Sequence, residues 1–356
     1  MKQKNNKYDV ILLFICCLSL FSCGYSTKED KAFPEEKELV FNDMNVNEKT
    51  DGVISIKSAG SFLVVTGRNM ETQILLIDKK TKASYMFGET GEGPGRFLQA
   101  ANIMPTDNKH IGIYDLQKRL IYNFNIDSII RGDKRYMPDI LMKQISSFSP
   151  IQIDRLNENK FAAISIGGTG LNRFILVDGE GEIISKEGEL PEKKSEEISD
   201  ETHAFAYWGR ITTNPKKNKV ATCTNYAGMM QIYDCSTDKA ALIKEHNLFL
   251  ADYNERSGNF IVTPQTRWGY LSIDSNDTYI FALYSGLNQV ENPDGSFTKS
   301  HILHVFDWNG NPLIRLIGDR QLSHICVDEN ALYGYDANRS KSLLHRRYSG
   351  CRYRGY

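Results

Sequence analysis

Residues 208–214, with the sequence WGRITTN, form a short apolar strand that ends in an amide side chain. Sixty positions later the pattern returns as WGYLSID at residues 268–274. Three copies without the tryptophan lie at 103–107, 150–154 and 324–328, and a weaker copy that ends in lysine lies at 53–57. Their closing residues are Lys57, Asp107, Asp154, Asn214, Asp274 and Asp328, spaced by 50, 47, 60, 60 and 54 positions. Strand-like repeats with a period near fifty are typical of propeller blades.

Each copy is followed by a second and a third apolar strand, and several by a fourth, with Gly, Asn, Asp and Lys in the gaps. The pattern predicts an all-β protein, a six-bladed β-propeller with four-stranded antiparallel blades over residues 37–356. The last copy has no fourth strand of its own. An apolar segment, Lys37 to Asn42, precedes the first copy, and we expect it to supply that outer strand and close the ring.

Composition indicates a globular chain without a nucleic-acid partner. The 356 residues carry a net charge of −1, and 41% of them are hydrophobic, with 18 Tyr and 17 Phe. A nucleic-acid partner would require a basic face. We expect a monomeric domain.

The N-terminus has the features of an export signal. Lys2, Lys4 and Lys7 precede a twelve-residue apolar run, Val10 to Phe21, which is too short to span a bilayer as a helix. The run ends in LFSC at 20–23, which resembles the lipobox of bacterial lipoproteins. This resemblance implies a signal peptide at 1–22, acyl chains such as palmitate on Cys23, a tether at 23–36 and an outer-membrane lipoprotein. It does not decide between the periplasmic and the surface leaflet. An ordinary signal peptide or an uncleaved anchor is the alternative.

One inter-blade segment supports the fold through a family resemblance. Residues 87–97, FGETGEGPGRF, look like the inter-blade motif of NHL-type propellers, F-G-x-x-G-x-G-x-G-x-F. Together with the lipobox, the mature chain resembles the TolB-like six-bladed β-propeller lipoproteins of Bacteroides type. The resemblance implies a rigid ring in the cell envelope, and it leaves the ligand open.

The residues that lead into two inner strands form the candidate ligand-binding site, because aromatic faces with arginine suit sugars, peptides or carboxylates. The alternative is that both tryptophans pack between blades. Long insertions at 190–202, 248–266 and 286–299 are further candidates. The predicted rim consists of Tyr207, Trp208, Arg210, Arg267, Trp268 and Tyr270, with Arg96 and His324 as further contributors.

A metal site and a disulfide have weak support in the sequence. The closing Asp and Asn residues could form a carboxylate ring like that of gluconolactonase-type propeller hydrolases. We expect instead that they make local turn hydrogen bonds, and we expect no cofactor. A Cys223–Cys235 disulfide would be out of register, and the states of Cys326 and Cys351 stay open. The sequence thus favours a binding module for an envelope protein, peptide or glycan. A metal-dependent hydrolase or lyase of gluconolactonase-like type is the alternative.

Overall fold

Turn residues at the end of each inner strand return the chain into an antiparallel second strand. Asp107 Oδ1 accepts from the backbone N–H groups of Lys109 and His110 at 2.6 and 2.8 Å. Asp328 Oδ1 accepts in the same way from Asn330 and Ala331 at 2.8 and 2.7 Å. These carboxylates replace the hydrogen bonds that a tight turn cannot make within its own backbone.

The computed structural model describes residues 32–347, except 49, 51, 69, 134, 166–169 and 337–342. Two short strands come first, and six antiparallel sheets follow, each with its strands in chain order. The first two strands are β1 (Glu36–Leu39) and β2 (Asn42–Asp43). Blade 1 contains β3 (Val53–Ala59), β4 (Phe62–Gly67), β5 (Ile74–Asp78) and β6 (Ser84–Phe87). Blade 2 contains β7 (Ala100–Pro105), β8 (His110–Asp115), β9 (Leu120–Asn125) and β10 (Asp139–Met142), with helix α1 (Ile126–Arg131) between the last two.

Blades 3 to 5 carry the larger insertions. Blade 3 contains β11 (Pro150–Arg155), β12 (Lys160–Ser165), β13 (Asn172–Asp178) and β14 (Ile183–Glu189), and helix α2 (Asp200–Ala206) follows it. Blade 4 contains β15 (Gly209–Asn214), β16 (Lys219–Thr224), β17 (Met229–Asp234) and β18 (Ala241–Asn247), and the hairpin β19 (Asn254–Arg256) and β20 (Asn259–Ile261) follows it. Blade 5 contains β21 (Tyr270–Ser275), β22 (Tyr279–Tyr284), β23 (Ser300–Asp307) and β24 (Pro312–Leu322). Blade 6 contains β25 (His324–Val327), β26 (Ala331–Tyr335) and β27 (Leu343–Arg347). Short 3₁₀ turns lie at Pro215–Lys217 and Ser296–Thr298.

The inner strands β3, β7, β11, β15, β21 and β25 contact one another in a closed ring. The ring confirms the predicted six-bladed β-propeller with four-stranded blades. Apolar faces of neighbouring blades pack together, so the core lies between blades. Leu63 of blade 1 and Tyr333 of blade 6 share one such cluster, and Ile121 and Phe161 of blades 2 and 3 share another.

The N-terminal segment closes the ring, but not as one strand. β2 pairs antiparallel with β27, with Asn42 opposite His345, and so becomes the outer strand of blade 6. The preceding β1 pairs in parallel with β24 and adds a fifth strand to blade 5. The expectation that Lys37 to Asn42 all joins the last blade is therefore wrong. Leu39 and Phe41 are both buried between blades 5 and 6, which anchors the chain where it crosses from one sheet to the other.

The structure leaves Cys223 without a disulfide. Cys223, Cys235 and Cys326 are buried free thiols. Cys223 lies opposite Met230 in the β16–β17 pairing, as expected from the register argument. Burial raises the pKa of Cys223 and of Cys235 to about 12. Cys351 lies outside the described residues. Within the described part of the chain, no helix is long and apolar enough to cross a membrane.

Candidate functional site

The inner strands surround a narrow channel whose two faces differ in chemistry. We call the face where the inner strands begin the front and the face where they end the back. Neighbouring strands are antiparallel, so the loops between second and third strands also lie at the front. The channel encloses a cavity of about 40 Å³. Its polar lining includes Lys57, Asp154, Gln152, Arg210 and His324.

Three charged residues from alternate blades meet near the back of the channel, and we call them the back cluster: Lys57, Asp154 and Asp274. Lys57 Nζ lies 2.5 Å from Asp274 Oδ1 and 3.8 Å from Asp154 Oδ2. Burial alone would lower the pKa of Lys57, but attraction to Asp274 and Asp154 overrides it and raises this pKa well above its ordinary value. Burial raises the pKa of Asp154, against the opposing attraction of Lys57. Lys57 therefore stays charged and ties three blades together across the channel.

The carboxylates of the back cluster also bind the next blade. Asp154 Oδ2 accepts from Thr213 N–H of blade 4 at 3.1 Å. Asp274 Oδ2 accepts from Val327 N–H of blade 6 at 2.8 Å. The expectation of local turn bonding holds for Asp107, Asn214 and Asp328. It does not hold for Asp274, and it describes Asp154 only through its bond to the adjacent Arg155 N–H. The reason is position, because Asp154 and Asp274 each lie one residue before the end of the inner strand, whereas the other three lie at its end or beyond it.

Further toward the front, Arg210, predicted in one half of the rim, and His324, predicted as one of its other contributors, line the same channel. The guanidinium of Arg210 lies 5.8 Å from the ring centre of Trp208. Its Nε is buried without a hydrogen-bond partner among the described residues. Burial, together with the nearby Arg210 charge, lowers the pKa of His324 to about 3, so this histidine is neutral near pH 7. The part of the channel that Arg210 and His324 line therefore carries one fixed positive charge at this pH, that of Arg210.

Side chains from α2, the β16–β17 turn, the β19–β20 hairpin and the entries to β15 and β21 meet on the front face. Five of them form what we call the aromatic cap: Phe205, Trp208, Tyr226, Phe260 and Trp268. The ring centres of Phe205 and Phe260 lie 5.0 Å apart, as do those of Tyr226 and Phe260. Tyr226 and Trp268 follow at 4.9 Å. Trp208 packs against Phe205 of α2 at 5.9 Å, and Trp268 packs against Phe297 of the 286–299 insertion at 6.1 Å. Trp208 also contacts the channel residue Arg210.

Polar contacts join α2 to the segment that contains the β19–β20 hairpin. Ser199 is the N-cap of α2 and accepts from Thr202 N–H. Glu255 of the hairpin accepts from both Ser199 N–H and Ser199 Oγ, at 2.8 and 2.7 Å. His203 of α2 lies 2.6 Å from the hydroxyl of Tyr253. The cap is therefore a built surface and not a set of independent loops.

The remaining predicted rim residues have structural contacts. Tyr207 is buried at the end of α2, its carbonyl accepts from Arg173, and burial raises its pKa to about 12. Tyr270 is fully buried, with its hydroxyl 3.1 Å from His304 Nδ1. Arg267 forms a two-pronged ion pair with Glu291 at 2.5 and 3.0 Å, which fastens the 286–299 insertion.

Arg96 lies apart from the channel. It pairs with Glu89 at 3.0 Å and lines a separate groove of about 410 Å³ between blades 1 and 2. Gly95 before it has a φ of +71°, and the glycines of this segment permit the turn between blades. The structure therefore does not place Arg96 with Arg210 and His324.

Sequence reasoning missed Lys57, because its copy of the pattern looked weakest. One lysine among six closing positions otherwise held by Asp or Asn is a charge reversal, and that was the available signal. Among the described residues, no group of three or more His, Cys, Asp or Glu side chains could hold a metal ion. The predicted lipidation site, Cys23, lies outside the described residues.

Solved structures with a similar fold include bacterial proteins of low sequence identity. A protein of Bacteroides fragilis that is named as exported has a TM-score of 0.52 and 11% identity, covering 89% of this chain and 99% of that one. A Bacteroides thetaiotaomicron protein of unknown function has a TM-score of 0.47 and 11% identity, covering 87% and 72%. A streptogramin B lyase has a TM-score of 0.49 and 11% identity, covering 87% of each chain. At such identity the likeness shows the fold alone.

No curated protein sequence matches the chain. Residues 28–330, however, match the family described as TolB-like 6-blade propeller-like. The match covers most of the chain and confirms the resemblance drawn from the inter-blade motif and the repeat. This chain therefore belongs to the TolB-like six-bladed propeller family.

Proposed function

We propose that this protein is a binding module of the cell envelope, held to a membrane by lipid on Cys23, and that its ligand enters at the front mouth of the channel. The observation that carries the proposal is Arg210, a half-buried cation whose Nε has no partner within the described residues. A buried polar group without a partner requires an explanation, and an acceptor supplied by a ligand is one.

The placement of the insertions supports the same face. A rigid scaffold commonly carries its binding residues on loops that vary in length. Here α2 and the β19–β20 hairpin lie at the front and meet at the aromatic cap, and the 286–299 segment reaches the cap through Phe297, whose ring lies 6.1 Å from that of Trp268. The cap contacts Arg210 through Trp208, so a ligand at the channel mouth would touch both.

The envelope location rests on the N-terminal sequence. The apolar run and the LFSC motif at 20–23 suit export followed by acylation of Cys23, which gives an outer-membrane lipoprotein. Residues 23–36 would then hold the ring away from the membrane. The leaflet does not affect the proposed binding site.

A metal-dependent hydrolase or lyase would require carboxylates available to an ion. Asp154 and Asp274 instead accept from Lys57 and from backbone N–H groups of the next blade. The geometry therefore favours a binding ring.

The proposal predicts that the front face captures a partner in living cells. A photoreactive phenylalanine analogue would replace Val290, which is 60% exposed in the 286–299 insertion, or Ile140, which is 57% exposed on the outer strand of blade 2. We expect a covalent adduct, seen by mass spectrometry, from position 290 and none from position 140. Equal labelling at both positions, or none at 290, would contradict the proposal.

The anchor is tested in the same strain. Cys23→Ser should move the protein out of the membrane fraction and reduce the adduct at position 290, because the ring would no longer be held beside an envelope partner. A Cys17→Ser change lies within the predicted signal peptide and serves as the matched control, with adduct and fractionation unchanged. Retention of the Cys23→Ser protein in the membrane fraction would exclude lipid on Cys23 as the anchor.

A further inference from the structure

Arg210 differs from Arg155, Arg173 and Arg267, because no side-chain nitrogen of Arg210 has a hydrogen-bond acceptor among the described residues, whereas each of those three arginines has at least one. Arg267 binds Glu291, Arg155 Nη1 donates to the Thr106 carbonyl, and Arg173 Nη1 donates to the Tyr207 carbonyl. For Arg210, the contact is the Trp208 ring, and Nε has no hydrogen-bond partner within the described residues. A guanidinium presents five N–H donors in one plane and matches a carboxylate in two-pronged geometry.

A second donor faces the same cavity from the neighbouring blade. Ile153 N–H donates to Asn102 Oδ1 at 3.1 Å, which fixes the orientation of that amide. Asn102 Nδ2 must then donate to Gln152 Oε1, 3.2 Å away. The Nε2 donors of Gln152 therefore have no protein acceptor among the described residues, and Gln152 lines the channel beside Arg210.

The acidic side chain in the lining of this cavity is already paired and does not compete for Arg210. His324 is neutral near pH 7, and its Nδ1 lies 3.0 Å from Ser323 Oγ. Asp154, the acidic side chain that lines the same cavity, is already bound to Thr213 N–H and lies near Lys57. The cavity of about 40 Å³ has room for roughly three water-sized groups, which is the size of a carboxylate and too small for a sugar ring.

We infer that Arg210 and Gln152 form a binding site, which we call the carboxylate seat, for the carboxylate of an acidic peptide that enters the channel from the front face. This inference rests on the proposed binding function and names its ligand. A peptide is favoured over an acidic glycan because the aromatic rings of the cap stack on one another and one face of Trp208 meets Arg210. The exposed neighbours Val262 and Val290 are apolar, which suits a peptide side chain better than sugar hydroxyls.

Titration calorimetry on the full-length protein in detergent tests the seat with four probes. Acetyl-Val-Ala-Glu-amide carries a side-chain carboxylate, acetyl-Val-Ala-Ala carries a terminal one, acetyl-Val-Ala-Gln-amide is the neutral match, and glucuronate is the acidic sugar. We expect at least one acidic peptide to bind about tenfold or more tightly than the neutral match, since hydrogen bonds from a guanidinium to a charged carboxylate are stronger than those to a neutral amide. The stronger of the two acidic peptides identifies the source of the carboxylate.

The matched variants separate a functional charge from a structural one. Arg210→Gln should abolish the preference for acidic peptides, whereas Arg131→Gln, an exposed change on α1, should leave it intact. Without ligand, Arg210→Gln should keep or raise Tm, because a partly buried cation without a partner costs stability. A fall in Tm would mark Arg210 as a counter-charge to the back cluster and would overturn the inference.

The outcomes also distinguish this inference from the proposed function. Equal binding of acidic and neutral peptides, or no peptide binding while position 290 still forms its adduct, would overturn the carboxylate seat and leave the binding module standing. Preference for glucuronate that depends on Arg210 would replace the peptide with a glycan. Loss of both the adduct and all four probes would overturn the binding function itself.

Discussion

Gly269→Ala is expected to destabilise the fold by about 3 kcal/mol or more, near the upper end for an overpacked site. A Cβ at this position would lie 1.8 Å from the Ala227 carbonyl oxygen and 2.8 Å from the Thr224 carbonyl oxygen. Both obstacles are backbone atoms, so no side chain can move aside. Gly269 N–H also donates to the Asn225 carbonyl at 2.6 Å, which holds the two segments together.

Thermal or urea unfolding measures the loss, with an expected fall in Tm of about 5 °C for a chain of this size. Gly209→Ala should behave alike, because its Cβ would lie 1.7 Å from the Cys223 carbonyl oxygen. Gly93→Ala is the control, since its nearest neighbour is the flexible Arg96 side chain at 3.6 Å. We expect the control to stay within about 0.5 kcal/mol of wild type. A Gly269→Ala protein as stable as the control would refute the close-packing argument.

These two glycines explain why the Trp-Gly pair occurs in blades 4 and 5. Gly209 and Gly269 press on the same turn, residues 223–227, one from its own blade and one from the next. Each tryptophan precedes its glycine and packs in the aromatic cap. The repeated Trp-Gly pair, which indicated a blade in the sequence, therefore serves the packing of blades 4 and 5 against each other.

Lys57→Met is the second large effect, with an expected loss of about 3 kcal/mol, the lower end for breaking a buried ion pair. The change would leave the Asp274 carboxylate, 4% exposed, without its cation. Lys57 itself keeps 18% exposure, which places the expected loss at the lower end. The matched control is Lys79→Met, which removes a cation from Asp328. Asp328 keeps two backbone N–H donors and lies nearer to solvent, so we expect about 1 kcal/mol.

The pH dependence follows from the direction of the pKa shifts. The pKa of Lys57 is raised in the folded protein, so its stabilisation is complete below 10.5, the ordinary value, and is lost only as the pH rises through the higher folded value. On the acid side, burial raises the pKa of Asp154, so this carboxyl group takes up a proton more readily in the folded protein and then needs no counter-charge. The difference in the free energy of unfolding between wild type and Lys57→Met should therefore narrow as the pH falls from neutral. If the difference in the free energy of unfolding between wild type and Lys57→Met widened on acidification, the charges assigned to the back cluster would be wrong.

The ring could be predicted from the sequence because each blade repeats its own strand pattern and turn residues. The outer strand β10 was missed in blade 2 because α1 and its following loop separate it from β9. The split of the N-terminal segment depends on burial of Leu39 and Phe41 between two blades, a tertiary contact that no local pattern contains.

The site was less accessible to sequence reasoning for a related reason. Asp107 and Asp154 look alike as strand-closing residues, yet Asp107 lies beyond its strand in a turn and Asp154 lies within its strand beside the channel. Asp107 lies two residues after the end of its strand and Asp154 one residue before, and this shift of three residues decides between a turn bond and a bond to the next blade. Arg210 and His324 were predicted together, since both stand at the start of an inner strand.

Metal content of the purified full-length protein is the measurement that tests the central claim most directly. A metal-dependent enzyme needs channel carboxylates that are free to bind an ion, whereas in a binding ring they are already paired. We predict that elemental analysis after mild dialysis finds calcium and zinc well below one ion per chain, since Lys57 already neutralises Asp274 and lies near Asp154. One bound ion per chain that disappears in Asp154→Asn or Asp274→Asn would contradict this account and would establish the channel as a metal site.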